Sequence, residues 1–394
     1  MIYLDNSATT PIDPEVLEAM LPYLKEEYGN PSSRHYTLAK NAEKAVEDAR
    51  LQVASLINAK SNEIIFTSGA SESNNFIIKG IADYKKYYEN SGNHIITSSV
   101  EHKSVLQTCK FLNGEVYENK EKAKASSRFV KLKTPAVPKI DRGFEVDFLN
   151  VNNYGQVEAN AFTNSIKNNT ILASFMWGNN EIGSLNDIST LSSIAKEKNI
   201  LFHSDATQVL GKIDIDVRNI DVDFLSFSAH KIYGPKGIGA AFMKRDSFLR
   251  PNITSLIHGG LQEDGFRAGT HAVHNIVGFG KACEIAKKNM KEYIKYIKTL
   301  ETEFKKMLTS KYPEVKFLGD ENNHIPGVVG FILPNIINEM MIKSLKDDIA
   351  ISSGSACGID EPSYVIKAIG QGNLTSNFLR ISLSKFNTIE DLKL

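Results

Sequence analysis

The sequence predicts an α/β chain built on a mostly parallel sheet and followed by a smaller α+β domain. Three observations predict it. Short β-rich runs alternate with helical patterns through the first two thirds, the rhythm changes near Thr270 to one long helical stretch, and 394 residues exceed the size at which a single hydrophobic core keeps growing.

In chain order, EIIFTSG precedes SESNNFIIKGIADYKKYY, HIITSS precedes EHKSVLQTCKFL, TILASFMW precedes NDISTLSSIAKEK, and ILFHSD precedes ATQVLG. Strand then helix, repeated, is the pattern of parallel strands covered on both faces. The stretch HNIVGFGKACEIAKKNMKEYIKYIKTLETEFKKMLTS reads as a long linking helix into a domain that closes with SNFLRISLSKF. Residues 113–143 are lysine-rich, polar and without periodicity, so they read as a surface insertion.

Lys plus Arg and Asp plus Glu are equal at 46 each, so net charge offers no case for a nucleic-acid, membrane or strongly acidic partner. The three cysteines, Cys109, Cys283 and Cys357, form no CxxC and are odd in number, which argues against a disulfide framework and a structural zinc site and for a reducing compartment. MIYLDNSATTP has neither the apolar run of a secretory signal nor that of an anchor, so a cytoplasmic protein is expected.

In sheets of this kind ligands gather at the carboxyl ends of the strands. There the sequence places SGASES with Gly69, Ala70 and Ser71, then Glu101 and His102, then Asn180 in GNNE, then Asp205 and Gln208, then Ser228, His230 and Lys231. Small residues before a helix N-terminus suit a phosphate. His203 with Asp205, or His271 with His274, lacks a third ligand at matching spacing, so no metal is expected. A lysine after an apolar strand suits Schiff-base chemistry. Together these groups have one economical explanation, a site for pyridoxal phosphate. Lys231 would bond the aldehyde, Asp205 would pair with the pyridine nitrogen, His102 would stack on the ring, and Gly69, Ala70, Ser71, Ser228 and His230 would hold the phosphate.

The blocks YLDNSATTP, GNPSS, FTSGASESNN, EHKSV, NNEIG, HSDATQ, SFSAHKIYGPKGIG, RAGT, SSGSAC and LRISLSKF stand in the order seen in the NifS/IscS-like cysteine desulfurases, which the chain resembles over nearly its whole length. These are class V aminotransferase-type enzymes of pyridoxal phosphate fold type I. The resemblance implies a large domain at 16–265 with a mostly parallel seven-stranded sheet flanked by helices. It also implies a linking helix and small domain at 266–394, to which 1–15 contributes. It implies Lys231 as the Schiff-base lysine, Asp205 and Gln208 at the ring nitrogen and hydroxyl, and Asn180 and His102 beside the ring. Thr270 would reach the phosphate of the other subunit of a homodimer. Arg380 would clamp the substrate carboxylate with Asn180 nearby, and Cys357 would be the nucleophile.

The implied activity converts L-cysteine to L-alanine, with sulfur taken by Cys357 and passed to an acceptor protein for iron–sulfur assembly, tRNA thiolation or DNA phosphorothioation. No membrane partner or direct nucleic-acid binding is expected. A mobile nucleophile explains why Cys357 lies in the small, polar SSGSACGID, whereas Cys109 and Cys283 have helical periodicity and should pack in the core. Two other readings stand beside this one. A selenocysteine lyase or another class V enzyme would not need the thiol, and a persulfide carrier without turnover would not need Lys231, Asp205, His102 and Arg380. The family pattern is departed from at the short GID after Cys357, at the basic 113–143 insertion, and at the end after NTIEDLKL. The insertion reads equally as a solvated loop without a partner or as a docking surface for an acidic sulfur acceptor or a nucleic-acid-handling complex.

Overall fold

The alternating runs resolve into elements in a computed structural model that describes residues 1–33, 35–115, 140–245, 251–354 and 362–393. In chain order these are β1 (Ile2–Tyr3), α1 (Pro14–Lys25), α2 (Thr37–Leu56), β2 (Ile64–Thr67), α3 (Ala70–Tyr87), β3 (His94–Ser98), α4 (Lys103–Leu112), β4 (Glu145–Leu149), α5 (Ala159–Ser165), β5 (Thr170–Ser174), α6 (Ile188–Glu197), β6 (Leu201–Asp205), β7 (Phe224–Ser228) and β8 (Gly239–Met243). Then come α7 (Val273–Lys311), β9 (Lys316–Leu318), β10 (Val328–Ile332), α8 (Asn338–Leu345), β11 (Ile349–Ala350), α9 (Tyr364–Ala368) and β12 (Phe378–Ser382).

Among the described residues, the main sheet has seven strands in the order β2-β8-β7-β6-β5-β3-β4. Only β8 is antiparallel to its neighbours β2 and β7, which therefore run the same way. The carboxyl ends of β2, β3, β5, β6 and β7 consequently share one edge. Apolar residues fill both faces, as a buried parallel sheet requires. On one side Ile64, Phe66, Phe202, Leu225 and Phe227 pack with α1, α2, α6 and the first half of α7. On the other, Ile65, Ile95, Leu172 and Ala241 pack with α3 and α4. Phe202 is fully buried, with its ring centroid 6.0 Å from that of Phe175, so truncation to Ala there costs about 3–5 kcal/mol.

The 39-residue α7 joins two cores, because Ile276, Phe279 and Cys283 sit in the large one while Leu300, Phe304 and Leu308 pack against β10 and β12. It approaches α2 closely at Gly280, where a Cβ would lie 2.6 Å from Ala49 Cα. The smaller sheet has the order β12-β10-β9, and β1 pairs in parallel with β11 beside it.

Two local expectations differ from the structure. ATQVLG after β6 is not a helix. Val209 and Leu210 both donate to the Ala206 carbonyl, and Gly211 at φ 67 then ends the turn. The helix after β2 starts at Ala70 with Gly69 as its N-cap, one residue earlier than read. Of the 113–143 insertion, residues 116–139 lie outside the described residues. Its returning end is held where the Arg142 carbonyl accepts from Lys86 Nζ at 2.7 Å.

Candidate active site

The first corner of the site comes from β2, β7 and β8. Thr67 and Ser228 both register opposite Gly239, and a Cβ on Gly239 would lie 2.7 Å from Gly69 Cα, so only glycine permits this approach. Gly69 has φ 154, and a Cβ there would face Ser228 Oγ at 3.7 Å. The opening N–H groups of α3, at Ala70 and Ser71, have no partner within their helix and aim its positive end at this corner. His230 follows Ser228 in the 3-10 turn at 229–231, with Nδ1 3.1 Å from Thr9 Oγ1. Burial, reinforced by the charges of Lys231, Lys236 and Lys212, pushes its imidazole down to about 4, so the ring is neutral at pH 7.

The second corner is Asp205 at the end of β6. Its Oδ1 accepts from Thr207 N at 3.0 Å and its Oδ2 from Asn74 Nδ2 at 2.8 Å. The same amide nitrogen donates to Ser104 Oγ at 2.8 Å, and Ser104 Oγ lies 2.8 Å from His102 Nδ1. His102 caps α4, and its Nδ1 also accepts from Ser104 N at 3.2 Å. An unprotonated Nδ1 leaves the neutral ring's proton on Nε2. Turning the Asn74 amide over would set its oxygen against the carboxylate, so the chain of bonds fixes both the amide and the tautomer.

The third group surrounds Lys231. Its Nζ donates to the carbonyls of Ser7 at 2.5 Å and Ala8 at 2.7 Å, and Gln208 Nε2 donates to the same Ser7 carbonyl at 3.0 Å. Gln208 Oε1 is buried without a hydrogen-bond partner among the described residues. Arg380 is 1 % exposed, donates from Nη1 to the Asn180 carbonyl at 2.8 Å and pairs with Asp5 at 2.5 Å, while its buried Nε has no hydrogen-bond partner among the described residues. In this arrangement Asp5 already neutralises the residue expected to clamp a substrate carboxylate.

Two further ionisable groups stand out, Glu101, which the sequence places at a strand end without a role, and Lys212, which it does not single out. Burial pushes the Glu101 carboxyl up to about 8, with the charge of Asp205 adding to it against bonds from Ser98 Oγ and Met176 N, so the protonated form predominates at pH 7. Burial also pushes the Lys212 ammonium down to about 7, helped by the charges of Lys231 and Arg380.

The chain as a whole is similar to known proteins. The aminotransferase class-V family profile matches residues 2–123 and 136–394. The chain belongs to the aminotransferase class-V family. It is 42% identical over 394 residues to the cysteine desulfurase IscS of Rickettsia rickettsii, covering 99% of this chain and 88% of that protein. It is 43% identical over 397 residues to the cysteine desulfurase IscS of Plasmodium falciparum, covering 99% of this chain and 66% of that longer protein. Among solved structures, a NifS-like protein superimposes with a TM-score of 0.85 at 32% identity over 99% of this chain and 96% of that one. SspA in complex with cysteine gives 0.78 at 34% identity over 98% and 100%. The family assignment and the fold expected from the ten sequence blocks agree with these matches.

In this class-V chain, Gly69, Ala70, Ser71, Ser228 and His230 lie at one corner, and the other expected residues fall into three bonded sets: His102 with Asp205 through Ser104 and Asn74, Gln208 with Lys231 at the Ser7 carbonyl, and Arg380 with the Asn180 carbonyl. Thr270 stands exposed, and none of the described contacts joins it to them. Cys357 lies outside the described residues. Cys109 and Cys283 are fully buried, and burial raises both thiols well above their usual value. His203, read as a weak metal candidate, is a core histidine whose ring nitrogens lie 2.8 Å from Ser174 Oγ and 3.0 Å from Ser226 Oγ. Ser7, Ala8, Asn74 and Ser104 were missed as site residues. The only signal for them was the set of quoted blocks in which Ser7, Ala8, Asn74 and Ser104 occur.

Proposed function

We propose that this chain is a cysteine desulfurase that holds pyridoxal 5′-phosphate and moves sulfur from L-cysteine to Cys357, leaving L-alanine. One observation carries the reading: Lys231 and Gln208 share the Ser7 carbonyl at one strand end while Asp205 is locked by Asn74 at the next. A lysine, a carboxylate, an orphaned buried amide oxygen and a glycine-lined helix N-terminus suit an aldehyde, a ring nitrogen, a ring hydroxyl and a phosphate in turn. When bound, the group supplies an electron sink for the substrate's α-carbon.

The residues divide the remaining work. Asp205 keeps a proton on the ring nitrogen, and Asn74 and Thr207 N hold it in the orientation to do so. Ser7 and Ala8 carbonyls hold the Lys231 ammonium in place, ready to give or take the proton at the α-carbon. His102 offers an Nε2 proton beside it, since Nδ1 is committed to Ser104. Arg380 binds the substrate carboxylate through Nε and a guanidinium edge released by Asp5, with Asn180 alongside. The Cys357 thiolate attacks the substrate sulfur. The C–S electron pair stays on carbon, which takes a proton to become alanine, and Cys357 is left as a persulfide. Thr270 of a second subunit completes the phosphate site in a homodimer, and an acceptor protein then takes the sulfur. Among the described residues no helix is long and apolar enough to cross a membrane, and the cytoplasm, with its reducing thiol pool, is the proposed location.

The test is the pair Lys231→Ala and Cys357→Ser. The first should lose the yellow colour and all alanine formation. The second should keep the colour and its change with L-cysteine but gain no sulfur by mass spectrometry. Cysteine-dependent alanine from Lys231→Ala, or sulfur carried on Cys109 or Cys283, contradicts the reading.

A further inference from the structure

At the edge of the main sheet opposite the active site, where the parallel strands begin, the fold assembles a second polar group of side chains. His94 opens β3 and registers beside Glu145, which opens β4, and Asp147 follows two residues on, so the three share one face of the sheet. One ligand atom from each lies within 4.8 Å of the other two. His94 and the two acids are far apart in the chain, so sequence spacing gives no sign of the group and only strand pairing creates it.

His94 separates this group from an ordinary surface ion pair. Its side chain is fully buried on the strand between β4 and β5, and its Nδ1 is fixed 2.7 Å from Thr170 Oγ1 at the start of β5. Its Nε2 lies on the carboxylate side, 3.1 Å from Asp147 Oδ2, yet has no hydrogen-bond partner among the described residues. A proton on Nε2 would be a buried donor that misses the nearest acceptor, and a lone pair there would stand beside a carboxylate oxygen with no proton to share. Two ligand atoms 3.1 Å apart and each about 2.1 Å from one metal ion meet at that ion at nearly a right angle, so neither points at the other.

The cation position is marked by Lys167, whose Nζ lies 2.5 Å from Glu145 Oε1 and 3.1 Å from Asp147 Oδ2. Lys167 comes from the turn between α5 and β5 and is partly exposed, so water screens its ion pairs and its long side chain can swing into solvent. One imidazole and two carboxylates suit Zn²⁺ better than Ca²⁺ or Mg²⁺, which take oxygen ligands, and the solvent side lets water fill a fourth position.

We propose that His94, Glu145 and Asp147 form a binding site for a divalent first-row metal ion, with Zn²⁺ the ion that the donors fit best and Lys167 the cation it displaces. Thr170 orients the imidazole from behind, as outer partners of ligating histidines do. The bound ion ties the edge strand β4 to β3 at its first residue. This site lies at the other end of β3 from His102 and is independent of the desulfurase reading.

The experiment is calorimetric titration of Zn²⁺ into the cofactor-loaded protein, treated with iodoacetamide so that accessible thiols do not compete. It compares the native sequence with Asp147→Asn, Glu145→Gln, Lys167→Ala and His94→Gln. Native protein should bind one Zn²⁺ that Asp147→Asn and Glu145→Gln each weaken at least tenfold, since an amide oxygen is a poorer ligand than a carboxylate. Lys167→Ala should tighten the same event about tenfold by removing the competing ammonium. Loss of binding in His94→Gln places the imidazole among the ligands. Should that buried variant not fold, the two carboxylate variants, whose side chains are partly exposed, carry the test. In thermal scanning, Zn²⁺ at a hundred times its Kd should raise the native Tm by about 3 °C and that of Asp147→Asn by at most half as much. Equal Zn²⁺ affinity in the native protein and both carboxylate variants overturns the proposal. So does a native protein that binds none, whether or not Lys167→Ala binds it.

Discussion

Replacing Glu263 by Gln tests a buried carboxylate that faces four hydrogen-bond partners. Its Oε2 accepts from Arg50 Nη1 at 2.6 Å and Phe66 N at 2.8 Å, and its Oε1 accepts from Arg50 Nη2 at 2.9 Å and faces His271 Nε2 at 2.6 Å. Either orientation of a Gln amide turns an NH2 toward two of these donors and leaves Arg50 buried without this counter-charge. Glu263 and Asp264 both adopt left-handed backbone, at φ 50 and 56, so the bonds also hold a strained turn on the way to Arg267 and Thr270.

Burial raises the Glu263 carboxyl, but the bonds and charges of His271 and Arg50 outweigh it and bring the group from 4.5 down to about 2. At 1.36 kcal/mol per pH unit that is a contribution of about 3 kcal/mol. It is complete above about pH 4.5, where the unfolded carboxyl is also ionised, and fades as pH falls toward 2. With about 2.1 cal/mol/K per residue over 394 residues, unfolding entropy is about 0.8 kcal/mol/K, so the expected loss in Tm is about 4 °C. Differential scanning at one scan rate should show this gap constant from pH 7 to about 5 and narrowing below 4.5. A gap under about 1 °C at pH 7, or one that widens on acidification, refutes the reasoning.

Asp205→Asn should retain cofactor colour while alanine formation falls about a hundredfold or more, equivalent to about 3 kcal/mol in the barrier; a near-native rate would show that the ring nitrogen needs no anionic partner. Asn74→Ala takes a donor from both Asp205 and Ser104, so it should cost about 1.5–3 kcal/mol in stability and lower turnover about tenfold, as read by thermal scanning and an alanine assay. If neither changes, the chain of bonds from Asp205 to His102 has no role. Iodoacetamide should label Cys357 in the native protein and spare Cys109 and Cys283, whose thiols are buried and held protonated; equal labelling of all three contradicts the core placement.

Periodicity and end signals determined much of the architecture. IIFT, HIITS, TILAS, LFHSD and FLSFS are short apolar runs, and burial on both faces of a parallel sheet leaves no other comfortable place for them. The amphipathic stretch that became α7 was equally legible, because a 3.6-residue period over that length has few alternatives. ATQVLG misled because six residues of helical composition do not reveal that a positive-φ glycine closes the turn. Asp205, Lys231 and His102 were legible because strand-end polar residues stand out against apolar runs.

Tertiary structure alone decided what holds those residues. Lys231 and Gln208 are bonded to the carbonyl of Ser7, about two hundred residues away, and a backbone carbonyl carries no side-chain signature in sequence. Asn74 reads as one polar residue in a helix until the crossing of α3 over β6 sets its amide between Asp205 and Ser104. Arg380 looked free to bind a substrate, yet the packing of β12 against the N-terminal segment gives it Asp5 as a partner. Glu181 belongs to a recognisable block, but only the fold brings the Ser363 hydroxyl to its carboxylate, at 2.5 Å. Sequence patterning therefore determined which residues end the strands, because burial acts locally along each run. The partners of those residues depend on long-range backbone bonds and close approaches, and these exist only once the two cores have packed around α7.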